Sequence, residues 1–177
     1  MTAVLRSRGA FTIRYSGNES VSGHIAIQIS RNLHQYFYAD SKIVSAASYV
    51  AEGTGNVITL GIGSDLPGGS HPDFPIQIAA KSVTVRDARG LERTYGGEGR
   101  ISAIFLRPLG DERLELVVWG SDGEGLAQAA RLVPMLTGVG QPDFVVLDDS
   151  ARWKGVDGAL ALGFLDHSWE VTPSSVV

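Results

Sequence analysis

The sequence predicts one α/β domain built on a mixed, mainly parallel sheet of about five to seven strands. The main observation is that a plan of strand, glycine turn, helix and strand occurs twice, at 11–44 and 114–147. Each occurrence has the form of a right-handed βαβ crossover, which joins parallel strands. Short alternating segments between them indicate an antiparallel insertion at about 76–106. We therefore expect a lead-in over residues 1–9 and a single domain over 10–177.

The composition favours a folded, acidic chain. Fifteen basic against nineteen acidic residues leave a net charge of −4 and a pI near 5.5, which argues against a nucleic-acid-binding surface. Apolar residues make up 44% and mean hydropathy is +0.06, so the chain has enough apolar surface for a core. The absence of cysteine excludes disulfides and thiolate chemistry. No apolar run has the length of a membrane span and no signal-peptide core follows Met1, so we expect no membrane partner.

The first unit shows both periodicities clearly. Residues 10–15 alternate between apolar and polar side chains, as in a half-buried strand. A turn-rich stretch then leads into a helix over 20–38, whose apolar side chains recur every fourth residue. The β-branched stretch 42–44 predicts the next strand.

The middle of the chain follows a different pattern. Residues 56–60 predict a short buried strand, and 66–75, with three prolines and two glycines, predict a surface loop. Residues 82–86 and 91–95 predict a hairpin, and 101–106 one more strand.

The second unit begins with an apolar strand at 114–119 that ends at Gly120. The next four residues, Ser-Asp-Gly-Glu, match a capping box led by Ser121, which predicts a helix over 121–136. Pro134 is expected to kink or end that helix. A strand follows at 144–147. The apolar segment 159–165 fits a strand or a buried helix equally well.

A serine hydrolase on an α/β sheet requires a G-x-S-x-G turn, and the sequence has none. Ser64 and Ser121 each follow a strand, but the spacing of their glycines differs from that motif. His167 comes late in the chain, as the histidine of such hydrolases does. A small hydrolase that uses Ser64 or Ser121 with His167 and either Asp148 or Asp143 is therefore only a third alternative.

Metal and nucleotide chemistry have weak signals. Asp148 and Asp149 follow a strand and could share Mg²⁺ or Ca²⁺, although such a pair equally often caps the next helix. The glycine turns at 61–69 and 120–125 lack the lysine of a phosphate loop. They also carry carboxylates that already compensate the helix dipole. We predict no metal and no cofactor.

Aromatic residues are the better candidates for contacts. Trp153 and Trp169 flank the last apolar segment, where they suit a contact with another domain. Together with Tyr95 they also suit a platform on which a sugar ring stacks.

Two segments carry a family resemblance: VVWGSDGEGLAQAARLVPMLTGVGQPDFVVL at 117–147 and RWKGVDGALALGFLDHSW at 152–169. Both resemble the C-terminal region of large fungal secreted proteins of the prolyl-oligopeptidase-like (S9-type) serine hydrolase class. HIAIQISRNLHQYFYADSKIV at 24–44 is similar to a helix-to-strand unit of the same proteins. The strand–GSD–EGL–AARL pattern is more loosely similar to flavodoxin-like accessory domains, such as those of the bacterial cellulose synthase regulatory subunit. The resemblance implies an extracellular module of a larger polypeptide with a flavodoxin-like fold, and no catalytic residue is carried over from it.

The function predicted from the sequence is therefore that of a non-catalytic accessory or interaction domain. It would belong to a larger secreted, hydrolase-like protein and would dock on its catalytic part or gate it, in the same polypeptide or another protein. The alternative is a glycan-binding module that uses Trp153 and Trp169.

Overall fold

The computed structural model describes residues 1–16, 19–49, 53–133 and 141–177. These residues form a seven-stranded mixed sheet of order β10-β9-β7-β8-β3-β1-β2 and a three-stranded antiparallel sheet of order β4-β5-β6. The strands are β1 Phe11–Tyr15, β2 Ser41–Ser45, β3 Val57–Ile62, β4 Ile76–Ala79, β5 Ser82–Arg86, β6 Glu92–Gly96, β7 Ile101–Pro108, β8 Leu114–Gly120, β9 Phe144–Asp148 and β10 Ala159–Gly163. The helices are α1 Glu19–Phe37, α2 Gly123–Ala130 and α3 Ala151–Lys154, with short 3-10 helices at Thr2–Leu5, Ala46–Ser48 and Gly155–Gly158.

The predicted flavodoxin-like, mainly parallel α/β fold is wrong. In the described part of the larger sheet, β1–β2, β1–β3 and β3–β8 are parallel, whereas β7–β8, β7–β9 and β9–β10 are antiparallel. A flavodoxin-like fold also needs a helix after each parallel strand, and here β4 to β7 follow one another without any described helix between them. The chain is a β-rich domain with few helices.

The two βαβ units differ in how their strands meet. β1 and β2 are parallel neighbours joined through α1. β8 and β9, joined through α2, also point the same way, but β7 lies between them and pairs antiparallel with both. The ambiguous segment at 159–165 forms β10, which lies antiparallel beside β9.

Side chains pack on both faces of the larger sheet. On one face α1 and α2 cover an apolar cluster that includes Leu33, Leu126 and Val118. On the other face the three-stranded sheet packs its buried valines against a second cluster that includes Phe105 and Trp119. Residues alternate between these faces along each strand, which explains why β3, β7 and β8 are buried almost throughout.

The residues expected to form a lead-in contribute to the core. Met1 and Val4 are buried in the cluster beneath α1. The carbonyl of Val4 accepts a hydrogen bond from the Asn56 side-chain amide at 2.7 Å, and that side chain accepts in turn from the amide of Leu114 at 2.8 Å. One buried asparagine thus links the N-terminal segment to β8.

The capping residue of α2 differs from the prediction. Asp122, rather than Ser121, is the N-cap: its carboxylate accepts from the amide of Gly125 at 2.7 Å. The Ser121 hydroxyl instead accepts from the amide of Ile101 at 3.1 Å, across to β7. The helix ends at Ala130, earlier than predicted, and Pro134 lies outside the described residues. Within the described ranges no helix has both the length and the apolar character needed to cross a membrane.

Gly120 allows β8 to pass directly against the first turn of α2. A Cβ there would lie 2.0 Å from the nitrogen of Leu126 and 2.5 Å from the carbonyl carbon of Gly125, both of them backbone atoms that cannot swing aside. We expect Gly120→Ala to lower the free energy of unfolding by about 3 kcal/mol, measured by urea denaturation.

The matched control is Gly99→Ala, because a Cβ at Gly99 meets no atom within 4 Å. Its free energy of unfolding should stay within about 0.5 kcal/mol of wild type. Equal stability of the two variants would contradict the packing described for β8 and α2.

Candidate functional site

Several predicted site residues meet at one edge of the larger sheet. β1, β3, β8 and β9 point the same way, so the turns that follow them lie along a common carboxyl edge. In open sheets with parallel strands this edge is where ligands bind. The turn after β3 carries Ser64, and the turn after β8 carries Ser121. β9 ends at Asp148, and Asp149 lies in the turn that follows it.

Arg100 connects two of these turns. It directly precedes β7, which runs the opposite way and therefore begins at the carboxyl edge. Its Nε donates to both carboxylate oxygens of Asp122 at 2.9 and 3.0 Å, Nη1 to Asp149 at 2.8 Å, and Nη2 lies 2.9 Å from Glu124. We call Arg100, Asp122, Glu124 and Asp149 the edge cluster. One guanidinium thus fixes the start of α2 relative to the turn that leads into α3.

The contacts in the edge cluster change its proton affinities. Hydrogen bonds to Asp122 and Asp149 raise the pKa of Arg100 above its ordinary value, so it stays charged at any relevant pH. Partial burial raises the pKa of Asp122, but the Gly125 amide and Arg100 outweigh that effect and the net pKa is lowered. Arg100 and Asp122 are therefore ionised at neutral pH and pair with each other.

Both carboxylates proposed as metal ligands have protein partners. Asp148 accepts from the amide of Ser150 at 2.8 Å, and Asp149 binds Arg100. Across the described ranges, no three histidine, aspartate or glutamate side chains are arranged to hold a metal ion.

The structure separates the residues considered for a hydrolase. β10 is antiparallel to β9 and ends at Gly163, opposite Phe144. The segment with His167 therefore leaves the sheet at the edge where β9 begins. Asp143 lies at that edge too, where its carboxylate accepts from the amide of Leu165 at 3.2 Å. The serines and Asp148 belong to the other edge, and the five residues of β9 between the edges span roughly 13 Å. No described contact joins His167 to Ser64, Ser121 or Asp148.

The three candidate aromatic residues occupy different environments. Trp153 lies on α3 and is 87% exposed. Trp169 is partly buried and packs against both apolar clusters. Tyr95 on β6 is also partly buried, packed against the second cluster. Of the three, Trp153 is the most exposed.

The backbone beneath Trp153 is held at several points. Its amide donates to the carbonyl of Ser150 at 3.0 Å. The Gln128 side chain of α2 donates to the carbonyl of Asp148 at 2.7 Å. A Cβ on Gly158 would lie 2.4 Å from the Cα and 2.5 Å from the nitrogen of Ala151, so the chain after α3 folds closely back on it. Together with the contact between Arg100 and Asp149, these contacts hold α3, and with it the backbone of Trp153, in place.

The strongest polar feature of the structure was not predicted from the sequence. Glu115 is fully buried and contacts Thr59 and Arg107 on the two strands beside β8, and Arg14 on β1, one strand further away. The Arg107 Nε lies 2.6 Å from the carboxylate, and the Arg14 Nε donates to Thr59 at 2.7 Å. We call Arg14, Thr59, Arg107 and Glu115 the buried polar cluster.

A signal for this cluster is present in the sequence. Strand alternation puts all four side chains on the face opposite α1, because Ile13, Ile58, Leu116 and Leu106 face the helices. Glu115 interrupts an otherwise apolar strand, and a buried carboxylate needs a cation. Because the order of strands is not written in the sequence, the cations that pair with it were not identifiable.

Burial raises the pKa of Glu115, but the hydrogen bond and charge of Arg107, the charge of Arg14 and the Thr59 hydroxyl outweigh it, so the net pKa is lowered. Two guanidiniums share one carboxylate, and backbone carbonyls supply the remaining acceptors: Pro67 accepts from both arginines at 3.3 and 3.2 Å, and Gly69 from Arg107 at 2.7 Å. The cluster therefore fixes the loop after β3 as well as four strands.

The chain is similar in sequence to one part of a larger secreted protein. Over its whole length it is 43% identical, across 183 aligned residues, to an uncharacterized secreted protein of the fungus Arthroderma benhamiae. The chain spans only 19% of that protein. No family model matches. These findings support the resemblance to large fungal secreted proteins and an extracellular setting, while the link to prolyl-oligopeptidase-like hydrolases stays a prediction.

We expect Glu115→Gln to lower the free energy of unfolding by about 3–5 kcal/mol, because it leaves two buried guanidiniums without their carboxylate. Urea denaturation followed by tryptophan fluorescence measures the change. Glu112→Gln is the control: it removes the same charge from an exposed pair with Arg8 and should cost less than about 0.5 kcal/mol. A loss as small in Glu115→Gln would show that the buried polar cluster does not stabilise the fold.

The lowered pKa of Asp122 predicts a loss of stability in acid. Its stabilisation is complete above the pKa of the unfolded carboxyl, about 3.9, and is lost as the pH falls through the lower folded value. Between about pH 6 and pH 3, the melting temperature of Asp122→Asn should therefore fall less than that of wild type. Asp40→Asn, at an exposed carboxylate, should fall as much as wild type. Parallel curves for all three proteins would contradict the ion pairing at Asp122.

Proposed function

We propose that this chain is an accessory interaction domain of a larger secreted protein, and that it docks on another part of that protein through Trp153. The observation that carries the proposal is the exposure of this indole ring on a turn that Arg100, Gln128 and Gly158 hold in place. The full-length match to one fifth of a secreted relative supports the larger polypeptide.

The energetics favour a contact at this position. Burying a large aromatic side chain releases about 25 cal/mol for each Å² of apolar surface, and tryptophan is among the residues most enriched at binding hot spots. Because its backbone is already held, binding costs the rotamer entropy of the indole but no ordering of the loop beneath it. Trp153 thus has the properties of an anchor residue.

In this proposal the chain positions or gates a partner and supplies no chemistry of its own. The separation of His167 from Ser64, Ser121 and Asp148 supports that division, because general-base catalysis requires hydrogen-bond distance between nucleophile and base. The part that Trp153 contacts is then the part that carries any activity.

Glycan binding is the second candidate, and Trp153 is also the observation that favours it. An exposed indole can stack on a sugar ring. Retention of the chain on insoluble polysaccharides, lost in Trp153→Ala, would support this function in place of docking.

The first experiment is the intact mass of the native polypeptide, obtained by blotting the natural source with an antibody against this chain. A mass well above 18.8 kDa is expected. A mass of 18.8 kDa would contradict the proposal, because the chain would then have no larger polypeptide on which to dock.

The second experiment measures binding between this chain and the remainder of the native polypeptide, produced without it. Trp153→Ala should cost about 2 kcal/mol or more, roughly a thirtyfold rise in Kd. Tyr38→Ala is the matched control, because Tyr38 is equally exposed, at 88%, on a different element. Equal binding by both variants and wild type would exclude Trp153 as the anchor.

A further inference from the structure

The outer edge of β2 has backbone groups that bond to nothing. β2 is the last strand of the larger sheet and has β1 as its neighbour. The amide of Phe11 donates to the carbonyl of Asp40 at 2.9 Å, so from that point alternate residues of β2 bond to β1. The residues between them direct their N–H groups away from the sheet: Ser41, Ile43 and Ser45. Among the residues that the structure describes, none hydrogen-bonds to these three amides.

Each of the other edge strands is blocked or charged. On β10, the amide and the carbonyl of Leu162 both bond to Val176, at 2.9 and 2.8 Å. On β4, the amide and the carbonyl of Ile78 both bond to the hydroxyl of Ser70, at 2.9 and 3.0 Å. β6 begins with two adjacent exposed charged side chains, which discourage pairing with a further strand. The edge of β2 is therefore the one best able to accept another strand.

The helix beside this edge leaves apolar surface and free space. Gly23, Ile27 and Ser30 are spaced four and three residues apart, so they lie on one side of α1. The hydroxyl of Ser41 donates to that of Ser30 at 2.7 Å, which places this side of the helix along β2. Ile27 is 43% exposed, and a Cβ at Gly23 would meet no atom within 4 Å. A strand added beside β2 could thus cover Ile27 with one of its own side chains.

We propose that the outer edge of β2 binds an extended segment of the larger secreted polypeptide as an additional β-strand, with an apolar side chain of that segment packed on Ile27. A row of free N–H and C=O groups recognises another extended backbone, and main-chain hydrogen bonds then hold it. The chain spans 19% of the matched relative, so most of such a polypeptide lies outside it. The inference shares the larger polypeptide with the proposed function but needs no contact at Trp153, because β2 lies five strands away from β9.

A second copy of this chain fits the edge less well. Lys42 is exposed at the second position of β2. If two copies paired through β2, antiparallel about Ile43, both lysines would lie diagonally on the same face of the joined sheet. Lysine on an edge strand is one of the means by which proteins avoid self-association. A different segment with no cation at that position meets no such repulsion.

Hydrogen–deuterium exchange, measured at single amides, tests the pairing directly. The amide of Ile43 should exchange rapidly in the isolated chain and about a hundredfold more slowly in the intact native polypeptide, where the added strand bonds to it. The amide of Val44 is the internal reference, because it bonds to β1 and should be protected in both. Equal exchange at Ile43 in the two proteins would overturn the inference.

A proline at the outer edge tests the same hydrogen bonds by binding. The φ of Ser45 is −67°, which matches the value that proline fixes, and its N–H points away from β1. Ser45→Pro therefore removes one outward donor and should leave the melting temperature unchanged. It should raise the Kd for the remainder of the native polypeptide, produced without this chain, by about tenfold.

The apolar contact has a matched control. Ile27→Ala should raise the same Kd about fivefold, because it removes apolar surface that the added strand covers. Leu132→Ala truncates a side chain of similar exposure, 41%, on a different part of the chain and should bind as wild type does. Equal effects of the two truncations would contradict the packing on Ile27.

The outcomes separate this inference from the proposed function. If Ser45→Pro binds as wild type while Trp153→Ala does not, the added strand is refuted and docking through Trp153 stands. If Trp153→Ala binds as wild type while Ile43 is protected in the intact polypeptide, the added strand stands and the anchor is refuted. Protection of Ile43 that grows with the concentration of the isolated chain would identify a second copy as the occupant and overturn the inference.

Discussion

The rest of the structure depends on the carboxylate of Glu115. It lies fully buried among Arg14, Thr59 and Arg107, so that four neighbouring strands and the loop after β3 meet at one charge. Taking one carboxylate and two guanidiniums out of water is costly, and the cost is offset only while every partner is in place. This requirement extends to Gly68, where a Cβ would lie 2.9 Å from the Nη2 atoms of both arginines and where φ is +81°. The glycine and the arginines therefore constrain one another.

The edge cluster acts differently because it faces water. Arg100 is 23% exposed and its three carboxylate partners more so, and each exposed pair contributes little alone. Its effect is geometric. Arg100, at the start of β7, binds both the turn before α2 and the turn before α3 and so fixes their relative positions. The buried polar cluster thus joins four adjacent strands of the sheet, whereas the edge cluster positions the turn that leads into α3, the helix that carries Trp153.

Local elements were predictable from the sequence and their arrangement was not. The four-residue period predicted α1, and alternation predicted the β5–β6 hairpin, because both patterns arise within one segment. The antiparallel placement of β7 between β8 and β9 depends on pairings that no local pattern records. The prediction of a mainly parallel, flavodoxin-like sheet was therefore wrong. At the site, Trp153 stays a predicted contact residue, and its exposure was not predictable from the sequence. Arg100 was missed because its partners are 22 and 49 residues away.

The two clusters also respond differently to ionic strength, and this difference bears on the proposed docking function. Exposed charges are screened within a Debye length of about 8 Å at physiological salt, whereas buried pairs are screened much less. Salt therefore acts on Arg100, Arg152 and Lys154 well before it acts on Glu115 and the arginines that enclose it. Because the buried charge is insulated from solvent, a change in ionic strength that alters the proposed contact of Trp153 leaves the fold intact.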